Sequence, residues 1–145
     1  MRHLFYARKA TTMKLTENFA LHEFRCKDGT DVPEELTKNV EELARNLQVL
    51  RERIGKPIIV ISGYRSPKYN RKIGGARKSQ HMSAKAADII VPGMKPDEVR
   101  EIILELIKEG KMKKGGVGRY TSFTHYDIRG WNARWSGSGI KDSAT

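Results

Sequence analysis

Two segments of this chain carry side chains able to do chemistry together. His81 is followed seven residues later by Asp88, in Ser79-Gln80-His81-Met82-Ser83-Ala84-Lys85-Ala86-Ala87-Asp88. Apart from Lys85, only small residues separate Met82 from Asp88, so a tight turn can bring the imidazole to a carboxylate at the head of a strand. His125 lies in Phe123-Thr124-His125-Tyr126-Asp127-Ile128, where strand alternation sets Phe123, His125 and Asp127 on one face. Together the segments supply two imidazoles and one carboxylate, with a second carboxylate to spare. Catalytic zinc commonly takes three protein ligands of these types and keeps one position open for water. Such a metal lowers the pKa of that water to about 7 and polarises a carbonyl, and a nearby carboxylate can pass the proton to a leaving amine. Spacing alone leaves the alternative open, a surface histidine and unrelated strand-end polar residues. Of the four histidines, His3 falls in the first dozen residues, and His22, flanked by Leu21 and Phe24, reads as structural or surface.

The elements that must position these residues follow from hydrophobic spacing. Pro33, Glu34 and Glu35 suit the first turn of a helix, and Leu36, Val40, Leu43, Leu47, Leu50 and Ile54 form one apolar stripe. Gly55 and Pro57 stop it. Ile58 to Ile61 is a β-branched run that predicts a buried strand. Residues 62–87 show no sustained periodicity and read as a long ordered loop, the kind that usually carries function. Ala86 to Val91 predicts a second strand, and Pro96 and Asp97 open a second helix with Val99, Ile102, Ile103, Leu106 and Ile107 on one face. A final pair of strands is expected at roughly 117–120 and 123–128. This order predicts an α+β domain with a small, mostly antiparallel sheet packed by helices.

The chain has 145 residues, and Lys plus Arg number 28 against 17 Asp plus Glu, a formal charge of +11. That length suits one domain. The charge points to an anionic partner such as a bacterial wall, nucleic acid or an acidic lipid surface. A single cysteine, Cys26, excludes an internal disulfide and a thiolate zinc cage. No apolar run approaches a membrane span, and the opening MRHLFYARKATT lacks the apolar core of an export signal. Residues 1–12 read as an extension ahead of Met13, residues 13–135 as the domain, and 136–145 as a flexible tail.

Several segments, in order, carry a family resemblance between about Leu15 and Trp135. They are Glu23-Phe24-Arg25-Cys26-Lys27-Asp28-Gly29-Thr30, Ser62-Gly63-Tyr64-Arg65-Ser66-Pro67-Lys68-Tyr69-Asn70, the Ser79-to-Asp88 segment, and Phe123-Thr124-His125-Tyr126-Asp127-Ile128-Arg129-Gly130. The sequence resembles the zinc D-alanyl-D-alanine carboxypeptidase family of peptidoglycan metallopeptidases, above all its small single-domain branch in bacteria and phages, which has a Hedgehog-like fold. The resemblance implies zinc ligands at His81, Asp88 and His125. It implies that Arg65 approaches the scissile carbonyl, a role that suits an always-ionised guanidinium, and that Ser79 contacts substrate.

Two departures stand out. The position three residues after the first ligand histidine, usually glycine, is Ala84, which is strained if the backbone there needs positive φ. Many relatives place Glu or Asp three residues before the last histidine, where this chain has Ser122. Asp127 is the available substitute as general base, with orientation of a ligand histidine as its other possible use. Tyr120 and Trp131 are the aromatic residues expected near the substrate groove.

The resulting expectation is a zinc peptidase acting on peptidoglycan stem peptides or cross-links. Expected as a monomer without a signal peptide, it would act as a phage-type endolysin, held in the host cytoplasm before release to the wall, or as a virion-associated lysin. Alternatives are an L-alanyl-D-glutamate endopeptidase and a non-catalytic zinc-containing wall-binding domain. The basic run between Glu52 and Asp88 fits carboxylate-ended stem peptides; specific nucleic-acid binding lacks a docking motif.

Overall fold

The computed structural model describes residues 13–137. Five strands form one sheet in the order β1-β2-β4-β3-β5, with β1 at Ile59–Ser62, β2 at Ala86–Ile90, β3 at Gly116–Arg119, β4 at Thr124–Asp127 and β5 at Ala133–Ser136. Every pairing is antiparallel except that of β3 with the edge strand β5. The α+β expectation is met.

Helix α1, Thr37–Ile54, follows a 3-10 turn at Glu34–Leu36 and buries Val40, Leu43, Ala44, Leu47 and Leu50. Burying each of the valine and leucine side chains contributes about 1.5–3 kcal/mol. Gly55 ends the helix at φ 72, donating its N–H to the Arg51 carbonyl at 2.9 Å. This left-handed turn is the usual glycine stop. Helix α3, Pro96–Lys108, starts on a proline, and the Glu98 carboxylate accepts the Lys95 N–H. Its buried face, Val99, Ile103, Leu106 and Ile107, closes the same core.

Residues 62–87 carry more regular secondary structure than the loop their lack of periodicity predicted. They contain helix α2, Pro67–Lys72, and a 3-10 turn at Gln80–Ser83. Ser66 caps α2 by accepting the Tyr69 N–H at 3.1 Å, and Pro67 takes the first helical position. Strand β5 was also unforeseen. It carries the sheet through Ser136, and the Gly137 N–H donates to the Arg119 carbonyl, so the first two residues of the expected tail belong to the domain. The rest of that tail and residues 1–12 lie outside the described residues.

The register explains why the sheet has one working face. Ala87, Tyr126 and Val117 lie opposite one another on β2, β4 and β3, and all three are in the core. One residue along, Ser62, Asp88, His125, Gly118 and Trp135 form a row across all five strands. Alternation therefore turns this row to the opposite face.

Candidate metal centre and cleft

Asp88 and His125 are register partners on adjacent strands, so their side chains meet without any help from a loop. The His125 Nδ1 lies 3.0 Å from Asp88 Oδ1. Asp88 stands at the middle of β2 rather than at its head. His81 arrives from the 3-10 turn, its Nε2 3.4 Å from Asp88 Oδ2, and the two imidazole centroids are 5.2 Å apart. One donor atom from each of His81, Asp88 and His125 lies within 4.8 Å of the others. All three residues are buried.

Hydrogen bonds fix which nitrogen of His81 faces inward. A carbonyl can only accept, so the 2.7 Å contact between His81 Nδ1 and the Gly63 carbonyl places the proton on Nδ1. The lone pair of Nε2 then points into the cluster. Nε2 has no hydrogen-bond partner although buried, the one such side-chain atom among the described residues. An unsatisfied buried acceptor costs about 1–3 kcal/mol, and a cation at the cluster would remove that cost. Two imidazoles and a carboxylate are also donors suited to zinc.

The electrostatics run the same way. Burial opposes ionisation of Asp88, but its contact with His125 and the nearby His81 ring outweigh it and hold its carboxyl well below the usual range. Burial pushes the His81 pKa down, favouring the neutral ring that a metal requires.

Asp127 does not have the surroundings of a free base. It is fully buried. Its Oδ1 accepts the Gly116 N–H at 2.8 Å and Arg129 Nε at 2.8 Å, while Oδ2 takes Arg129 Nη2 and His125 Nε2, both at 2.7 Å. Burial raises its pKa, but Arg129 first and His125 next bring it well below the ordinary value. Gly116 is required here, since a Cβ would collide with the Asp127 carboxylate and press on the Arg129 guanidinium. Arg129 was not foreseen as a site residue, though it continues the alternation that joins His125 and Asp127.

A cleft of about 500 Å³ opens over the cluster, lined by Arg65, Lys78, Ser79, Tyr120, Phe123, Arg129 and Trp135 together with His81, Asp88 and His125. Arg65 leans on the cluster, its Nη2 3.3 Å from Asp88 Oδ2, its Nε 3.3 Å from Ser62 Oγ and its Nη1 3.5 Å from Asn70 Oδ1. Ser79 lines the cleft, but its Oγ caps the 3-10 turn by accepting the His81 N–H at 3.2 Å. Tyr120 is in the wall. Trp131 stands outside it, 61% exposed, with the Arg129 guanidinium 5.9 Å from its ring. Trp135 takes the wall position instead, its ring 4.9 Å from that of His125. Ala84 adopts φ 56 at the end of the 3-10 turn, the one non-glycine residue at positive φ among those described.

Three donors converge beneath an open cleft in an arrangement that could hold one metal ion. Comparison with protein-family models matches residues 13–127 to Peptidase M15, and the chain belongs to that family. Peptidases of this family are zinc-dependent. A search of curated proteins returns no match.

Proposed function

We propose that this chain is a zinc-dependent peptidase that hydrolyses peptidoglycan stem peptides or cross-links, of the D-alanyl-D-alanine carboxypeptidase or endopeptidase type. The observation that carries this reading is the orphaned His81 Nε2 facing Asp88 and His125 at the floor of a cleft, in a chain of the M15 family. His81 through Nε2, Asp88 through its carboxylate and His125 through Nδ1 are the proposed ligands. Zinc bound there supplies Lewis acidity, which polarises a carbonyl and lets water ionise near neutral pH.

The remaining residues have separable roles. Gly63 and Asp127 each accept the outer ring N–H of a ligand histidine, which fixes the ring and raises its basicity. Arg65 keeps positive charge beside the reacting carbonyl, and Lys78 adds a cation to the cleft wall, so a substrate ending in a carboxylate is drawn inward. Ser79 sets the turn that presents His81. In the net reaction, water adds across one amide bond: the acyl carbon keeps the water oxygen as a carboxylate, and the released nitrogen leaves as an ammonium. A phage-type endolysin is the finer reading, supported by the domain's basic charge, which favours an anionic wall.

Mass spectrometry of muropeptides digested with the zinc-loaded protein tests this. Loss of a terminal D-alanine, or separation of cross-linked stems, is the expected product pattern. Products ending in L-alanine would instead identify an L-alanyl-D-glutamate endopeptidase. A second reading, zinc-dependent wall binding without turnover, is favoured by one observation: among the described residues, Asp88 is the cleft's sole carboxylate. Wall binding with no new amine termini, where a known lysin releases them, would establish it over hydrolysis.

A further inference from the structure

We propose that Tyr120 is a catalytic hydrogen-bond donor, its phenol O–H directed at the scissile carbonyl oxygen as that oxygen takes up negative charge. The inference rests on the peptidase reading above and adds a role to the same cleft.

Its partners decide which way the Tyr120 hydroxyl faces. The Trp135 indole N–H donates to the Tyr120 oxygen at 2.9 Å. An indole N–H cannot accept, so the phenol's own proton is left for another partner. Among the described residues, no group accepts it. The ring cannot readily turn away, because it stacks on Phe123 with centroids 4.3 Å apart and planes inclined by 17°. The indole holding the phenol is itself laid against the His125 ring. A donor with a free proton is thus fixed in the wall of the cleft that contains the metal cluster.

Two glycines show that the backbone is cut back to allow this arrangement. Gly118 pairs with both His125 and Trp135, and a Cβ there would come within 2.7 Å of the indole Nε1 and Cε2. A Cβ on Gly137 would collide with the Tyr120 ring. Side chains at either position would displace the indole or the phenol.

The two arginines nearest the cluster are already engaged. Arg129 is committed to Asp127 through Nε and Nη2, and Arg65 turns its three nitrogens towards Ser62, Asn70 and Asp88. Tyr120 is half-buried and offers a hydroxyl held in place by its ring contacts, with its proton free for a substrate that displaces water. A preorganised donor of this kind gains strength as charge develops on its acceptor, and removing one typically costs about 10²–10³ in kcat.

The experiment compares wild type with Tyr120→Phe, which keeps the ring stack and loses only the O–H. Zinc content, kcat and KM are measured on the muropeptide bond that wild type cuts. Calorimetry gives the affinity for a phosphinate isostere of the same bond, whose tetrahedral P–O⁻ copies the developing charge. We expect kcat to fall about 100-fold, with KM within about threefold of wild type and one zinc per chain retained. Phosphinate affinity should fall by at least about tenfold, an effect that a purely structural ring would not produce. Trp135→Phe, which removes the N–H that orients the phenol, should lose less and add little to Tyr120→Phe, because the two act as one unit. Values of kcat and phosphinate affinity within about threefold of wild type would overturn the inference, as would a loss confined to KM. Failure of the wild-type protein to cut any muropeptide would overturn the peptidase reading itself, and the wild-type control separates the two failures.

Discussion

A carboxylate two residues beyond a proposed ligand histidine has two uses, and burial decides between them at Asp127. A general base must reach the attacking water and release its proton afterwards. Asp127 is fully buried and absent from the cleft wall, and two oxygens receive five hydrogen bonds, three of them from Arg129 counting its backbone N–H. Its pKa is held well below the ordinary value by Arg129 and His125, which makes it a poor proton acceptor. The arrangement suits a group that orients His125. Asp127→Asn should therefore weaken zinc affinity by about 10–100-fold, while zinc-saturated turnover falls by less than about tenfold. Competition with a chromogenic chelator and steady-state kinetics check the two values. Unchanged affinity with turnover down by about 10²–10⁴, the range for a lost acid–base group, would return the base role to Asp127.

At the scale of elements, Ala84 sets competing effects against each other. Its φ of 56 is a left-handed conformation that costs a residue with a Cβ about 1–2 kcal/mol. The turn has to reverse there, because the Ala84 N–H closes onto the Gln80 and His81 carbonyls just before β2 begins. Its methyl is buried in the core, however, which returns about 0.8 kcal/mol, and glycine would lose more chain entropy on folding, by about 0.5–1 kcal/mol. These terms nearly cancel. Ala84→Gly should change unfolding free energy by less than about 1 kcal/mol, whereas Ala84→Val, with a branched Cβ in the same conformation, should lose more than about 2 kcal/mol. Urea denaturation of the zinc-free proteins measures both.

The same scale shows what the sequence could disclose. The stripes of α1 and α3 are long enough for periodicity to register, and the β-branched run at Ile58–Ile61 announces its strand. Helix α2 is six residues long, too short for an apolar period, although Ser66-Pro67 is a helix-start signal that could have revealed it. Strand β5 has only Trp135 as a large apolar residue, and its pairing with β3 is a matter of tertiary packing. Residue type and spacing brought His81, Asp88 and His125 forward, but only the family resemblance of their segments singled them out as a set. The commitment of Asp127 to Arg129 was not legible, since sequence names a carboxylate without saying what surrounds it.

Across the whole molecule, charge and cleft are related. The sequence carries +11, and Arg65, Lys78 and Arg129 put cations in the cleft wall, while exposed Lys68, Arg71, Lys72 and Arg77 lie in the segment leading to it. Such a surface concentrates anionic polymers near the cleft, and salt screens it with a Debye length of about 10 Å at 0.1 M. Raising salt from about 20 to 200 mM should raise the apparent KM for intact sacculi severalfold and leave kcat nearly constant. A KM indifferent to salt would show that the basic surface takes no part in wall recognition. No helix among the described residues is long and apolar enough to cross a membrane.

The central claim is that His81, Asp88 and His125 hold one zinc ion. Anomalous diffraction at the zinc absorption edge, on crystals of the zinc-loaded protein, tests it most directly. The account predicts a single strong peak about 2.0–2.2 Å from His81 Nε2, an Asp88 carboxylate oxygen and His125 Nδ1. No peak at that cluster, or zinc bound only elsewhere, would contradict it.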